Sequence, residues 1–576
     1  MKNITKIVAI LSLLILGGCG KEWLAPNDEL VLTVPEYYAN LNEDAINNIS
    51  ANMYGSDWFN LLDKASSCLQ ELQSGNGWTN DGAYMPFFNG TLNSTFSQLD
   101  FLWTTNFGVI KNVNLSLNGL VTSLNEGGKF KDKYDSDPRI KSAVDACIGE
   151  LRFFRAISYF NLVRWFGPVP VIYDNLKQLG LPDSWTPVVE EDIYKFIVQD
   201  LEDAVAKLPA TRNASATYRL SKISAKALLA KVYLSRGGLP FGTESDFTQA
   251  AALADDIIKN PGGYSLSATY HENWLPKYAV GNFPTECLYG WKWSYSAPWA
   301  NYGSQSTLQS YFGTSHFTQS WDGWSSVLPS IDLKESYEQG DVRRYSTIME
   351  NGNKYPELWT EYTFPGQTTP GYVYYDGAVS YGGPTATAMS IRKHLQGRDN
   401  SKDAHITEMH GDLYTPVIRL ADVYLTYTEA KLGKNTSTTD VQYFNEIRAR
   451  AGLPAKSSVT YADIFKERRH EFAFEFCNWD DLLRYYHLYP EAAKSFLQNQ
   501  KRGYYNLVTE PFKIDGVEQS FPSGSPLKVV ASKTYVDFKL PAVNDDYFKL
   551  PYPLSEQNAN TSLSNAPVKF DFNNYK

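Results

Sequence analysis

Apolar residues recur at helical spacing through most of residues 36–260. Between 140 and 154 they are separated by four, three, four and three positions, which places them on one face of a helix: Ile140, Val144, Cys147, Leu151 and Phe154. Two later stretches share this spacing, at Ile193, Ile197, Leu201, Ala204 and Leu208 and at Leu220, Ile223, Ala227, Ala230 and Leu234. Such helices, joined by short loops, are typical of stacked antiparallel pairs like tetratricopeptide units, although no strict period is present. The sequence therefore predicts a mainly α fold.

The periodicity disappears between about residues 262 and 412, where Gly, Ser, Pro, Tyr and Trp dominate. Residues 286–293 have the pattern of a strand, and the rest is typical of long loops with short strands. Long irregular stretches inside a compact protein are usually functional or disordered, and the aromatic content argues against disorder. Helical spacing returns at 417–432, 441–451 and 461–486. We therefore expect one domain over 36–576, with a helical scaffold at 36–260 and 413–490, a loop-rich part at 262–412 and an irregular part at 491–576.

Residues 1–18 have the pattern of a secretory signal peptide. Lys2 and Lys6 supply positive charge, an apolar run follows from 7 to 16, and two glycines precede Cys19. The apolar run is too short to cross a bilayer as a helix. The segment LGGC ending at Cys19 resembles the bacterial lipobox, so we expect Cys19 to carry the lipid, palmitate included, and residues 19–35 to form a tether. An ordinary signal peptide ending near a cysteine is the alternative.

The net charge of −10 argues against nucleic acid as a partner. No later stretch has the length and apolarity of a membrane span, so the mature chain is expected to be a soluble body held by lipid. The other four cysteines lie far apart without metal-ligand spacing, and we interpret them as buried thiols rather than disulfides: Cys68, Cys147, Cys287 and Cys477.

Several segments, in the same order and spacing, resemble the SusD/RagB family of surface lipoproteins from Bacteroidota. Residues 152–170 (RFFRAISYFNLVRWFGPVP) are similar to the most recognisable stretch of that family, and Trp103, Phe107, Ile110 and Asn114 fit its upstream pattern. Further matches are 417–425 (VIRLADVYL), 445–454 (NEIRARAGLP), 467–475 (ERRHEFAFE), 479–484 (WDDLLR) and 552–553 (YP). The Gly-x-Arg often found before the WDDLLR tryptophan and the usual QNPGY ending are absent.

The resemblance implies a SusD-like fold, in which four tetratricopeptide-like helix pairs support a looser, loop-rich face. It also implies a lipoprotein of the outer membrane, facing the cell exterior, that caps a SusC-like TonB-dependent transporter and closes over captured nutrient. Most members bind oligo- or polysaccharide and a minority deal with peptides.

Motifs that look catalytic or metal-binding have simpler structural interpretations. Asp480 and Asp481 are adjacent on a predicted helix, so they point in different directions and do not face one substrate as a hydrolase pair would. Nearby arginines offer ion-pair partners for them: Arg468, Arg469 and Arg484. Glu467, Glu471 and Glu475 are interpreted as a paired charged helix edge. His405, Glu408 and His410 lack clear zinc-ligand spacing. We expect no enzyme and no cofactor; the acidic residues are compatible with a structural Ca²⁺ but do not specify one.

Three polar loops carry the mixture of residues that binds sugars, in which aromatic rings stack on sugar C–H faces and polar groups bind the hydroxyls. These loops are 77–84 (GWTNDGAY), 290–302 (GWKWSYSAPWANY) and 320–324 (SWDGW). Trp291 and Trp293 alternate along a strand whose face could be core. The glycan-binding candidates are Trp78, Asn80, Asp81, Tyr84, Trp299, Tyr302, Trp321, Asp322 and Trp324.

Glycan capture for import is therefore the favoured function. The alternative is a peptide-binding or mainly structural lid of the transporter, which would present a long groove with backbone-pairing edges rather than aromatic platforms. A glycoside hydrolase would need two facing carboxylates in a cleft, and the sequence offers no convincing pair.

Overall fold

The computed structural model describes residues 34–56, 58, 60–179, 185–211, 218–279, 281–296, 305–320, 322–375, 388–398, 404–407, 409–573 and 575. The predicted signal peptide and Cys19 lie outside these ranges, as do Trp299, Tyr302, Trp321 and Glu408.

Helices dominate the first half of the chain and return after residue 420. The α-helices of the N-terminal part are α1 Val34–Ala39, α2 Glu43–Tyr54, α3 Met85–Asn89, α4 Gln98–Asn125, α5 Lys129–Ser136, α6 Pro138–Phe166, α7 Asn175–Leu179, α8 Glu190–Lys207, α9 Lys222–Gly237 and α10 Glu244–Lys259. Those that follow are α11 Leu308–Phe312, α12 Ser315–Thr318, α13 Ile331–Ser336, α14 Arg343–Thr347, α15 Leu420–Leu432, α16 Gln442–Arg450, α17 Tyr461–Phe472, α18 Asn478–Leu488, α19 Pro490–Gln498 and α20 Leu554–Ala559. Two π-helical segments occupy Asn60–Ser66 and Leu69–Gln73.

Helices that are close together in the sequence pack against each other, as the helical spacing predicts. α6 packs against α2, α4 and α8, and α9 packs against α8 and α10, while α10 also contacts α15. The predicted apolar stripe of α6 is buried from Ile140 to Phe154. The mainly α fold is thus confirmed. Among the described residues, no helix is long and apolar enough to cross a membrane.

The strands are short and form two-stranded antiparallel sheets. They are β1 Gly77–Trp78, β2 Cys287–Trp291, β3 Leu328–Pro329, β4 Ile348–Glu350, β5 Lys354–Tyr355, β6 Tyr372–Val373, β7 Met389–Ile391, β8 Ile406–Thr407, β9 His410–Gly411, β10 Thr415–Arg419, β11 Tyr504–Pro511, β12 Lys513–Ile514, β13 Val517–Glu518 and β14 Lys528–Val536. The pairs are β1–β3, β2–β10, β4–β7, β5–β6, β8–β9, β11–β14 and β12–β13. Among the strands that the described residues form, only β11 and β14 pair over eight residues or more on each strand.

Two helix boundaries differ from the prediction. The helix expected from Val417 begins at Leu420, because residues up to Arg419 pair with β2 as a strand. The helix expected over 461–486 is two helices, α17 and α18, separated by a turn at Phe474 and Phe476, both with left-handed backbone (φ 61°). The Phe474 carbonyl lies 2.8 Å from His394 Nε2, and the Phe476 N–H donates to Glu71 Oε1 at 3.1 Å. These tertiary contacts hold a backbone conformation that such residues rarely adopt alone.

Buried ion pairs join the late helices to one another, to α6 and to the loop-rich part, and they confirm the structural interpretation of the charged motifs. Asp481 binds Arg468 (2.9 Å) and Arg484 (2.9 Å), and Asp480 binds Arg164 (2.6 Å). Arg469 instead binds Asp332. The four cysteines after Cys19 are free thiols.

Candidate functional site

Two of the three predicted sugar-binding loops meet in the structure. β1 pairs with β3, in the register Trp78 to Leu328, which places the loop after β1 beside the loop before β3. Thr79 Oγ1 donates a hydrogen bond of 2.6 Å to the Ser326 carbonyl, and Ser326 Oγ donates one of 3.2 Å to Asp81 Oδ2. Residues 77–84 and 322–327 therefore form one surface, which we call the loop site.

An aromatic cluster fixes the position of Trp324 in the loop site. The hydroxyls of Tyr84 and Tyr311 are 2.5 Å apart. The Tyr311 ring meets the Trp324 indole edge to face, with centroids 5.3 Å apart and an interplanar angle of 84°. Trp324 is half-buried. Its contact with Tyr311 holds the indole in place, and part of the indole stays accessible to solvent. This is the arrangement that a rigid stacking platform requires.

Gly323 allows this loop to approach its neighbour closely. A Cβ at Gly323 would lie 2.2 Å from the Thr314 carbonyl carbon and 2.3 Å from the Ser315 nitrogen. The adjacent Trp324 N–H donates to the Ser310 carbonyl at 2.8 Å. A side chain at 323 would push the loop away, and Trp324 with it.

The remaining candidates of the loop site divide into exposed and buried groups. Asn80 is exposed and Asp81 half-buried, so both offer polar atoms to a ligand. Trp78 is buried, with its ring 5.7 Å from Tyr504 and 6.5 Å from Phe88. Tyr84 and Asp322 are also buried. Trp78 and Tyr84 therefore lie beneath the surface that Asn80, Asp81 and Trp324 present.

The loop at 290–302 is described only up to residue 296, so Trp299 and Tyr302 lie outside the described residues, as does Trp321 of the loop at 320–324. Trp291 stacks on Trp58 with centroids 4.3 Å apart, and Trp293 Nε1 donates to Thr415 Oγ1 at 2.9 Å. Both indoles are buried, which confirms that they belong to the core.

Sequence reasoning missed Tyr311, although it contacts both Tyr84 and Trp324. It lies in the short helix α11, outside the Trp-rich loops, and no local pattern distinguishes it from a core tyrosine. Only the fold brings it to the site.

A carboxyl group beneath β1 has an altered pKa. Burial raises the pKa of Glu71 to about 7, and hydrogen bonds from Asn76 and from the Phe474 and Phe476 backbone limit the rise. Asn76 precedes β1 directly, and its Nδ2 donates to Glu71 Oε2 at 2.9 Å. Asn76 Oδ1 also accepts from Arg469 Nε at 2.7 Å, so these side chains hold the start of the loop.

The arrangements that resemble catalytic or metal sites do not offer an accessible reacting group. His271 Nδ1 lies 3.0 Å from Ser346 Oγ and His271 Nε2 lies 3.0 Å from Glu357 Oε1, as in a hydrolase triad. Ser346 is only 1% exposed, so no substrate carbonyl can reach its hydroxyl. Within the described part of the chain, no group of three or more His, Cys, Asp or Glu side chains has metal-binding geometry.

An apolar groove lies on the helical scaffold. It has a volume of about 780 Å³ and is lined mainly by α4, α7 and the C-terminal segment around α20. Leu176 and Leu179 at its rim are 78% and 69% exposed. It shares no lining residue with the loop site.

The comparisons with known proteins agree with this architecture. Residues 270–568 match the model of the SusD family, and residues 31–234 match a model described as starch-binding associating with outer membrane. A SusD-like protein from Bacteroides ovatus is 30% identical over 593 aligned residues, covering 100% of this chain and 99% of the relative.

Two solved structures extend the comparison. One, a crystal structure with xylogluco-oligosaccharide, is 29% identical, with a TM-score of 0.73, and the match covers 92% of this chain and 99% of the other. A laminarin-binding SusD-like protein has the same fold, with a TM-score of 0.59 at 24% identity, and the match covers 79% of this chain and 93% of the other. Proteins of this family are binding proteins associated with the outer membrane and are not enzymes, and this chain belongs to the SusD family.

Proposed function

We propose that this protein captures oligo- or polysaccharide at the cell surface and delivers it to a SusC-like TonB-dependent transporter. The observation that carries the proposal is the convergence of residues 77–84 and 322–327 into one surface with the half-buried indole of Trp324. The relative whose structure contains a xylogluco-oligosaccharide supports a glucan-type ligand.

The chemistry of the loop site fits a sugar ring. The accessible part of Trp324 would stack on the C–H face of a sugar, while Asn80 and Asp81 would bind its hydroxyls. Trp78, Tyr84 and Asp322 would act from below, by holding the loops. Trp299, Tyr302 and Trp321 remain proposed members of the same platform.

Delivery of a glycan to the transporter requires that the protein be attached to the membrane and that one of its surfaces contact the transporter. We propose that lipid on Cys19 holds the protein at the outer membrane, facing the exterior. The apolar groove of α4 and α7 is the surface we assign to the transporter, because exposed leucines such as Leu176 and Leu179 are typical of protein interfaces. Replacing both leucines by Asp should abolish co-purification with the transporter and leave glycan binding unchanged.

The alternative, a peptide-binding or mainly structural lid, would leave the loop site without a role in binding. An extended peptide would be held through its backbone, and Trp324→Ala would then change affinity little.

Affinity electrophoresis tests glycan capture. A soluble form that starts after Cys19 would run through gels containing xyloglucan, laminarin or starch. We expect retardation by at least one glycan, lost in Trp324→Ala and reduced in Trp299→Ala or Trp321→Ala. Trp185→Ala is the matched control, because Trp185 is also partly exposed but lines the apolar groove. A folded protein that no glycan retards would favour the peptide or structural lid.

A further inference from the structure

The strands β11 and β14 form a ribbon that is anchored at both ends and largely exposed between them. They pair from Tyr504 with Val536 to Pro511 with Lys528. At one end, Tyr504 contacts Trp78 beneath the loop site. Near the other end, Phe521 stacks on His316 with centroids 4.7 Å apart. The ribbon is therefore held in place although most of its middle residues are exposed.

An aromatic pair lies on one face of the ribbon. Tyr505 and Tyr535 are cross-strand partners, with ring centroids 5.7 Å apart at 64°. Side chains alternate along a strand, so this pair lies on the face opposite to Tyr504. Tyr535 is 38% exposed, which leaves much of its ring open to solvent.

The Tyr535 ring is fixed by both hydrogen-bonding roles of its hydroxyl. The hydroxyl accepts a hydrogen bond from the Gly503 N–H at 3.2 Å and donates one to Asp537 Oδ1 at 3.1 Å. Gly503 permits this close packing, because a Cβ there would lie 2.6 Å from the hydroxyl oxygen and 2.7 Å from a ring carbon. An exposed ring that is already immobile loses little conformational entropy when a ligand covers it.

Charged groups lie beside the two rings of this aromatic pair. Lys533 Nζ lies 4.6 Å from the centroid of Tyr505, and the Asp537 carboxylate is exposed beside Tyr535. An ammonium donor and a carboxylate acceptor next to a rigid aromatic face are the groups that bind sugar hydroxyls and C–H faces together.

We propose that Tyr535, with Tyr505, Lys533 and Asp537, forms an accessory saccharide-stacking subsite on the ribbon, separate from the loop site. This inference rests on the proposed function, because it takes the ligand to be a glycan. A short oligosaccharide engages the loop site alone. A long polysaccharide engages both sites, and the second contact is then favoured by a high effective concentration.

The test compares Tyr535→Ala with Tyr345→Ala, a matched control at another tyrosine that is 36% exposed and whose hydroxyl is also hydrogen-bonded. Affinity electrophoresis measures the binding of polysaccharide. The gel contains xyloglucan polymer, or laminarin if laminarin alone retards the wild type. Calorimetric titration measures the affinity for a short oligosaccharide of the same glycan. We expect Tyr535→Ala to weaken polysaccharide binding by about 2- to 10-fold, as the loss of one aromatic contact implies, and to leave short-oligosaccharide affinity unchanged.

Tyr535→Phe separates stacking from a structural effect, because it keeps the ring and removes the hydroxyl contacts. We expect it to bind polysaccharide more tightly than Tyr535→Ala and somewhat more weakly than the wild type, because the ring is kept but its hydroxyl no longer fixes it. Equal polysaccharide binding by Tyr535→Ala and Tyr345→Ala would overturn the subsite while leaving the loop site intact. If the wild type binds no glycan, the proposed function fails, and the subsite with it.

Discussion

Arg419 is a single side chain that joins three carboxylates in the interior. It binds Glu286, Glu471 at 3.1 Å and Glu475 at 2.7 Å. Lys393 also binds Glu475 at 2.7 Å. Burial alone would raise the pKa of Glu471, but Arg450, Arg419 and Arg343 lower it to about 2. This network ties the last residue of β10 to the end of α17.

Replacing Arg419 by Met should destabilise the protein by about 3–5 kcal/mol, because it removes a buried positive charge that three buried carboxylates share and leaves their charge only partly balanced. Chemical denaturation measures the change. Lys501→Met is the control, since the Lys501–Glu335 pair lies at the surface and surface pairs contribute little. Equal stability of the two variants would contradict this account.

The buried Glu71 predicts that the stability of the protein falls as pH rises. An ordinary ion-paired carboxylate has the opposite effect. Burial raises its folded-state pKa from 4.5 to about 7, so the folded protein holds a proton that the unfolded chain releases. Its contribution to stability is present below about pH 4.5 and is lost as pH rises through about 7, by about 3 kcal/mol in total. Glu71→Gln, which stays neutral, should remove this loss.

The measurement is the free energy of unfolding at several values between pH 4.5 and 8, for wild type and variant. As pH rises across this interval, the free energy of unfolding of Glu71→Gln should increase relative to that of the wild type. A constant difference would show that Glu71 is ionised throughout.

Trp78 and Trp324 show what residue-level sequence reasoning could and could not predict. Both lie beside glycine in polar loops, and both were reasonable candidates for exposed rings. Trp78 is covered by Tyr504, which is distant in sequence, so its burial depends on a tertiary contact that no local pattern contains. The burial of Trp291 and Trp293 could be anticipated, because alternation along a strand is a local signal.

At the scale of elements, the long amphipathic helices were predictable because their apolar stripes repeat over many turns. α6, α8 and α9 contain the predicted stripes. The short strands carried little signal, since a two-residue strand such as β1 exists only through its pairing with β3. The break after α17 was missed for the same reason. It is stabilised by Glu71, in the π-helical segment Leu69–Gln73, and by His394, in the loop-rich part, and both are far away in sequence.

The start of α17 depends on a local signal. Thr460 Oγ1 accepts from the Asp463 N–H at 3.3 Å, and Asp463 Oδ2 accepts from the Thr460 N–H at 2.9 Å, which together form a capping box. Thr460→Ala should therefore cost about 1 kcal/mol of unfolding free energy, measured by chemical denaturation. Thr248→Ala in α10 is the control, because Thr248 is exposed inside a helix and should lose little or nothing. A similar loss in both variants would rule out the cap as the cause.

At the scale of the molecule, the loop site and the helical scaffold share one hydrophobic cluster. That cluster extends from Tyr38 to Leu563 and includes Trp78, Tyr84 and Tyr311, with Trp324 packed against it. A second cluster, around Trp359 and Phe364, includes Phe521 and so supports the far end of the ribbon. The rings beneath the proposed platform are thus core residues of the scaffold.

This shared core predicts that a glycan bound at the loop site stabilises the whole protein. A ligand that binds only the folded state at 100 times its Kd adds about 2.7 kcal/mol to the unfolding free energy, so the Tm should rise with glycan concentration. Trp324→Ala should lose most of this rise at the same concentration, because its Kd is higher, whereas Trp185→Ala should retain it. Differential scanning calorimetry with a short oligosaccharide measures both. An equal rise in Trp324→Ala would place the ligand elsewhere, since a site that does not involve this ring has no reason to respond to its removal.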